Sequence, residues 1–108
     1  MTVRSATPEA VARMVEQGAA RVVLLDVREP YERAYARIEP SIHIPMHEIP
    51  TRIDAIPRDR RVVVYCHHGH RSAVVAAYLE QRGFEDVVNL SEGIDGWSAR
   101  VDRSVPRY

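Results

Sequence analysis

Short apolar runs alternate with amphipathic segments along the chain. The runs have the length of β-strands, and the longer ones are apolar on both faces, as in parallel strands that helices cover. They span residues 21–26, 42–44, 62–65 and 87–90. In the segments between them, apolar residues recur every three or four positions, which is typical of amphipathic helices. This alternation predicts an α/β domain with a mainly parallel sheet and right-handed crossovers.

Capping and stop signals set the expected bounds of the helices. Thr7 and Pro8 open the first helix, and Gly18 ends it. Pro50 must lie in the first turn of the third helix or kink it. The predicted helices span residues 7–18, 30–36, 46–56, 71–82 and 93–99. Residues 1–108 are expected to form one domain, with the polar stretch 100–108 as a loosely held tail.

Composition narrows the class of protein. Fifteen basic and 15 acidic residues cancel, so no net field would attract nucleic acid or an acidic membrane. No apolar run reaches the length of about 18 residues that a membrane span needs, and the first residues lack the order of a signal peptide. The single cysteine, Cys66, cannot form an internal disulfide. We therefore expect a cytoplasmic protein with a free thiol that binds neither nucleic acid nor membrane.

Cys66 stands directly after the apolar strand 62–65 and shortly before the helix 71–82. A thiol in this position faces unpaired backbone N–H groups and the positive end of the helix dipole, and both favour the thiolate. Gly69 can adopt backbone angles closed to other residues, which lets successive N–H groups turn inward around an anion. The alternative is an inert buried cysteine, but Cys66 follows the strand instead of lying inside it. The pattern predicts a nucleophilic Cys66.

Three histidines, His67, His68 and His70, lie in the same loop. Cysteine and histidine are zinc ligands, but the chain has no second cysteine, and adjacent side chains in a tight loop are expected to point in different directions. We therefore expect no metal at these residues. The histidines either donate hydrogen bonds to an anionic substrate or are simply exposed loop residues, and the sequence favours neither interpretation.

Three further side chains have two interpretations each. Arg71 either contacts a bound anion or braces the loop by pairing with Asp26 or Glu29. Bracing is favoured, because backbone N–H groups already serve the anion. Ser72 either adds a hydroxyl at the exit of the loop or caps the helix. Trp97 is expected in the core rather than the site, as a lone aromatic residue of a small domain.

Four segments follow one another in an order that is characteristic of one enzyme family. They are Leu25-Asp26-Val27-Arg28-Glu29-Pro30, Ile42-His43-Ile44-Pro45, Tyr65-Cys66-His67-His68-Gly69-His70-Arg71-Ser72, and Leu90-Ser91-Glu92-Gly93 followed by Trp97. The loop pattern Cys-x-x-Gly-x-Arg-Ser is the most specific of them. With these segments the chain resembles the single-domain rhodaneses, which are thiosulfate sulfurtransferases. The resemblance extends from Thr2 to about Ala99.

This resemblance implies a rhodanese-like fold, with a five-stranded, mainly parallel sheet and helices on both faces. It implies that Cys66 takes a sulfane sulfur from a small anionic donor such as thiosulfate and becomes a persulfide. The sulfur then passes to cyanide, a thiol or a partner protein, without cofactor or metal. Residues 67–71 would form the active-site loop, supported by Asp26, Arg28, Ser72 and Trp97.

Two other functions fit the same fold. Cysteine phosphatases use the pattern Cys-x5-Arg, because their loop must encircle a tetrahedral phosphate, whereas Cys66 and Arg71 form Cys-x4-Arg. The shorter loop disfavours a phosphatase. A non-catalytic or sulfur-carrying rhodanese module that binds a protein partner stays open, because a fold alone does not determine function.

Overall fold

Strands and helices alternate in the computed structural model, which describes residues 3–108. The strands are β1 (Ser5–Ala6), β2 (Val22–Asp26), β3 (Ile42–His43), β4 (Arg61–Tyr65) and β5 (Val87–Leu90). The α-helices are α1 (Pro8–Gly18), α2 (Pro30–Tyr35), α3 (Ile49–Arg52), α4 (His70–Gln81) and α5 (Gly93–Arg100). Across this described range, none of the helices has the length and apolar character that crossing a membrane requires.

The five strands form one parallel sheet in the order β1-β5-β4-β2-β3. Asp26, at the end of β2, lies beside Tyr65, at the end of β4. The carboxyl ends of neighbouring parallel strands thus meet at one edge, which is where α/β sheets bind ligands. Cys66 follows Tyr65 directly, so the sheet brings it to the same edge as the residues after Asp26. The predicted α/β fold with a parallel sheet is confirmed.

Side chains alternate between two cores, one on each face of the sheet. In β4, Val62 and Val64 pack on the face that α3 and α4 cover, whereas Val63 and Tyr65 pack on the opposite face. Cys66 continues the first set and is buried. Helices therefore cover both faces of the sheet, as predicted, which accounts for the continuous apolar sequence of its central strands.

Most predicted bounds agree with the structure to within one or two residues. The Oγ1 of Thr7 accepts a hydrogen bond from the N–H of Ala10 at 3.1 Å, as expected for a helix cap. The predicted helix 46–56 is wrong as one element. It consists of a 3-10 turn at Met46–Glu48, the short helix α3, and a second 3-10 turn at Ile53–Ala55. Pro50 lies in the first turn of α3, where its missing N–H does no harm.

The apolar pattern does not predict β1. This strand has two residues, Ser5 and Ala6, which pair with Asn89 and Leu90 at the edge of the sheet. A segment this short carries no hydrophobic period, and its strand conformation is stabilised by pairing with β5. Only the resemblance to a known family indicated a fifth strand.

The segment 101–108 differs from the loosely held tail that the sequence predicts. Val105 is buried in the core cluster beneath α1 and α5. Arg107 pairs with Asp95 of α5, and Tyr108 contacts the loop that follows β4. One buried apolar side chain, one ion pair and one aromatic contact therefore hold the segment against the domain.

Candidate active site

The sulfur of Cys66 lies at the amino end of α4, in the loop 66–71, which we call the Cys66 loop. The N–H of Gly69 points to Cys66 Sγ at 3.2 Å, and the N–H of Ser72 does so at 3.4 Å. Cys66 is 1% exposed. The sequence predicts inward N–H groups in an active-site loop of residues 67–71, and the structure places one donor to the sulfur inside that range and one just beyond it. These two N–H groups are aimed at the sulfur and can stabilise negative charge there.

The hydroxyl of Ser72 connects the sulfur to β5. Ser72 Oγ lies 3.3 Å from Cys66 Sγ and donates a hydrogen bond to Asn89 Oδ1. When Cys66 is a thiol it can donate to Ser72 Oγ, and when it is a thiolate the hydroxyl can turn from Asn89 to donate to the sulfur. Asn89 Nδ2 in turn donates to the carbonyl oxygen of Gly69 at 3.2 Å. The amide of Asn89 thus binds the serine and the loop backbone together.

Two glycines let the Cys66 loop pack closely on the chain after β5. Gly69 has φ 102° and Gly93 has φ 61°, both in the left-handed region. A Cβ at Gly93 would collide with the carbonyl oxygens of Cys66 and His67, and a Cβ at Gly69 would collide with that of Ser91. The first turn of α5 completes this contact, because the N–H of Ile94 donates to the oxygen of Cys66 at 2.9 Å.

Arg71 is held by Glu32 in a two-pronged ion pair. Its Nη1 and Nη2 donate to the two carboxylate oxygens of Glu32 at 2.7 and 2.9 Å. The expected partners, Asp26 and Glu29, are wrong, because Glu29 caps the start of α2 while Glu32, one turn on, is buried against the loop. Burial raises the pKa of Glu32, but the hydrogen bonds from Arg71 and others outweigh it and lower that pKa to about 2.

A second ion pair lies beside the end of β4. Asp26 and Arg28 are both fully buried, and Arg28 Nε and Nη2 donate to the Asp26 carboxylate at 2.9 and 2.8 Å. Arg33 and Tyr65 donate to Asp26 Oδ2 as well, at 3.2 and 3.1 Å. Burial raises the pKa of Asp26, but these donors lower it below its usual value. Asp26 and Arg28 therefore form a fixed, buried pair beside Tyr65, the residue before Cys66.

The prediction that adjacent histidine side chains point in different directions is wrong for His67 and His68. The rings of His67 and His68 stack at 3.9 Å, and the ring of Tyr108 stacks on the other side of His67 at 3.8 Å, nearly parallel at 4°. Potential ligand atoms of His67, His68 and Asp95 lie within 4.8 Å of one another. The Asp95 carboxylate, however, is already bound by Arg107 at 3.0 Å.

Two other predicted site residues, His70 and Trp97, lie apart from the stacked rings of His67, His68 and Tyr108. His70 is exposed as the first residue of α4. Trp97 packs with the core cluster that contains Tyr65, Leu90 and Ile94, in agreement with its interpretation as a core residue. Trp97 thus packs α5 against the core.

Sequence reasoning missed three residues that touch the loop or its partners. Glu32 carried a signal, since an acid three residues after Glu29 completes a capping box. Asn89 carried another, because a polar side chain in a buried strand must find a partner. Tyr108 had no comparable signal, since it lies in a stretch without period or motif.

Comparisons with known proteins agree with this architecture. The family model of the rhodanese-like domain matches residues 7–100. A sulfurtransferase of Allochromatium vinosum is 47% identical over 77 residues, covering 71% of this chain and 72% of that protein. The thiosulfate sulfurtransferase GlpE of Stutzerimonas stutzeri is 38% identical over 90 residues, covering 83% of this chain and 80% of that protein.

A solved structure has the same fold. The crystal structure of a rhodanese-like domain protein from Staphylococcus aureus superposes with a TM-score of 0.82 at 28% identity, covering 98% of this chain and 99% of that one. The match over nearly the whole length of both chains agrees with the family model. The fold, the sequence relatives and the ordered segments lead to one conclusion: the chain belongs to the family of rhodanese-like domains.

Proposed function

We propose that this protein is a sulfurtransferase that carries sulfur on Cys66. The Cys66 thiolate attacks the outer sulfur of thiosulfate or a similar donor. A new S–S bond forms, the S–S bond of the donor breaks, and sulfite leaves with its electron pair. A thiophilic acceptor, such as cyanide, a thiol or a protein thiolate, then attacks the outer sulfur of the persulfide and releases the Cys66 thiolate.

One observation carries this proposal. The N–H groups of Gly69 and Ser72 converge on Cys66 Sγ at 3.2 and 3.4 Å at the start of a helix. Such preorganised donors stabilise charge on the sulfur in the attacking thiolate and in the departing thiolate of the second step. Removing one comparable donor from an oxyanion hole costs about 3 to 4 kcal/mol of transition-state stabilisation.

The choice of donor rests on the relatives. The protein of Stutzerimonas stutzeri is named a thiosulfate sulfurtransferase and that of Allochromatium vinosum a sulfurtransferase. Thiosulfate is a small dianion whose terminal sulfur needs little room, which suits a buried thiol in a short loop. We take it as the probe donor for this chain.

In the proposed mechanism Arg71 braces the loop instead of binding the donor. Both terminal nitrogens of its guanidinium already donate to Glu32, which neutralises the charge. The hydrogen bonds and charge of Glu32 in turn raise the pKa of Arg71, so the pair stays ionised. The anionic donor is therefore attracted mainly by backbone dipoles, with a smaller contribution from the residual field of Arg71.

Intact-mass spectrometry tests the proposal. The protein should gain the mass of about one sulfur atom after incubation with thiosulfate, and cyanide should remove it. Cys66→Ser should gain nothing and should keep its fold, since one atom of one side chain changes. Ser5→Ala, at an exposed hydroxyl of the strand β1 and outside the Cys66 loop, is a control and should load like the wild type. A wild-type protein that gains no sulfur from thiosulfate contradicts the proposal and favours a module that binds a partner.

A further inference from the structure

The segment 101–108 lies beyond the family match, which ends at residue 100, yet it contacts the Cys66 loop and its partners. Val105 is buried among the core residues beneath α1 and α5 and anchors the segment. Arg107 Nε and Nη2 donate to the two Asp95 oxygens at 3.0 and 3.1 Å. The segment is therefore fixed at two points before it reaches Tyr108.

Tyr108 joins the two ion pairs of the site through one hydroxyl. Its oxygen accepts a hydrogen bond from Arg28 Nη1 at 2.8 Å and donates one to Glu32 Oε2 at 2.8 Å. The same Glu32 oxygen accepts the Nη2 of Arg71. Glu32 holds Arg71, at the end of the Cys66 loop, in place. Because the Tyr108 hydroxyl fixes the Glu32 carboxylate, it also restricts the motion of the loop.

The ring of Tyr108 contacts the other end of the same loop. It stacks face to face on His67, the residue after Cys66, at 3.8 Å. Burial, followed by the charge of His68, lowers the pKa of His67, which favours the neutral imidazole against the phenol ring. The N–H of Asp95, whose carboxylate binds Arg107, donates to the carbonyl oxygen of His67 at 3.1 Å. Segment 105–108 thus contacts both ends of the loop or their direct partners.

We propose that segment 105–108 completes the sulfur-transfer site and that Tyr108 is a positioning residue for the Cys66 loop. It acts through the Glu32 carboxylate and the His67 ring, and it contacts neither the donor nor the sulfur. The part of this inference that concerns sulfur transfer rests on the proposed function. The restraint on the loop itself is a property of the fold.

Single-substitution kinetics separate positioning from substrate binding. Tyr108→Phe removes the hydroxyl and retains the ring, whereas Tyr108→Leu removes both. We expect kcat for thiosulfate to fall about ten-fold in Tyr108→Phe, with KM within about two-fold, and to fall further in Tyr108→Leu. Tyr31→Phe is the matched control, because Tyr31 is 76% exposed on α2, and its rate should not change. A rise in KM at constant kcat, or unchanged rates in both Tyr108 variants, overturns the proposal.

Amide hydrogen exchange gives a readout that does not need the reaction. The N–H groups of Gly69 and Ser72 should exchange faster in Tyr108→Phe than in the wild type, and at the wild-type rate in Tyr31→Phe. Tyr108 is itself 41% exposed, so loss of its hydroxyl leaves the fold intact. If the wild type fails to load sulfur but exchange responds, the proposed function fails and the positioning role stands. If loading is normal and exchange does not respond, the positioning role fails alone.

Discussion

The two sides of the Cys66 loop are held by different kinds of contact. On the side of the sulfur the contacts are neutral, from backbone N–H groups, the Ser72 hydroxyl and the Asn89 amide. On the side of Arg71 they are charged, and each charge is paired. The loop therefore presents fixed dipoles to the sulfur and keeps its formal charges bound to one another. Dipoles that are already oriented need no reorganisation when charge moves onto or off the sulfur.

The charged side should account for the larger share of stability. Arg28→Met leaves Asp26 buried without its main partner, and we expect the free energy of unfolding to fall by about 3 to 5 kcal/mol. Denaturant titration measures this. Arg52→Met removes the exposed pair with Glu48 and should cost less than about 1 kcal/mol. Equal losses in the two variants would contradict the distinction between buried and exposed pairs.

The neutral side should be most sensitive to backbone geometry. Gly93→Ala places a Cβ against the carbonyl oxygens of Cys66 and His67 at a positive φ, so the loop must shift. We expect sulfur loading to fall by more than about 100-fold, as the loss of one preorganised donor does elsewhere. Gly18→Ala is the control, since its Cβ would meet only the Arg21 side chain at 3.7 Å or more. Loading at the wild-type rate in Gly93→Ala would show that the close packing is not needed.

The charged side should also respond to acid. The pKa of Glu32 is lowered to about 2, so its contribution to stability is present above its unfolded pKa and is lost as pH falls through the folded value. We expect unfolding free energy to fall between pH of about 5 and 2, with Glu32 contributing at most about 3 kcal/mol. Glu32→Gln should flatten this slope, measured by denaturant titration at several pH values, whereas Glu16→Gln, at an exposed carboxylate, should not. An unchanged slope in Glu32→Gln counts against the ion pair.

The smallest effect is expected from the serine hydroxyl. Ser72→Ala removes the contact with Cys66 Sγ and leaves Asn89 Oδ1 without its donor, but the Ser72 N–H stays in place. We expect a loss of about 1 kcal/mol in stability and a loading rate lower by a factor of about five. Stopped-flow loading with thiosulfate measures the rate, with Ser5→Ala as control. A loss as large as that of Gly93→Ala would mean that the hydroxyl, rather than the backbone, dominates.

The same division explains how far the site can be predicted from the sequence. Most of the neutral side is local, since Cys66, Gly69 and Ser72 lie within one strand-loop-helix segment whose spacing indicates their roles, whereas Asn89 comes from β5. The charged side joins distant residues. Whether Glu29 or Glu32 reaches Arg71 depends on how α2 sits on the domain, and a single sequence does not specify that placement.

The local sequence pattern also fails to predict the elements whose conformation depends on contacts with another part of the fold. The two residues of β1 have no period of their own and are strand because β5 pairs with them. Tyr108 lies in a polar stretch, so its place on His67 follows from the anchoring of Val105 and Arg107. Elements with an apolar face of their own, such as β4 and α4, were predicted to within a residue.

The measurement that tests the central claim most directly is the release of sulfite when the protein meets thiosulfate without an acceptor. If Cys66 carries the sulfur, a rapid burst of about one sulfite per chain should appear and then stop, because the second half-reaction has no acceptor. Cys66→Ser should give no burst. Sulfite that forms only after cyanide is added would mean that the sulfur passes directly from donor to acceptor, and it would contradict a persulfide on Cys66.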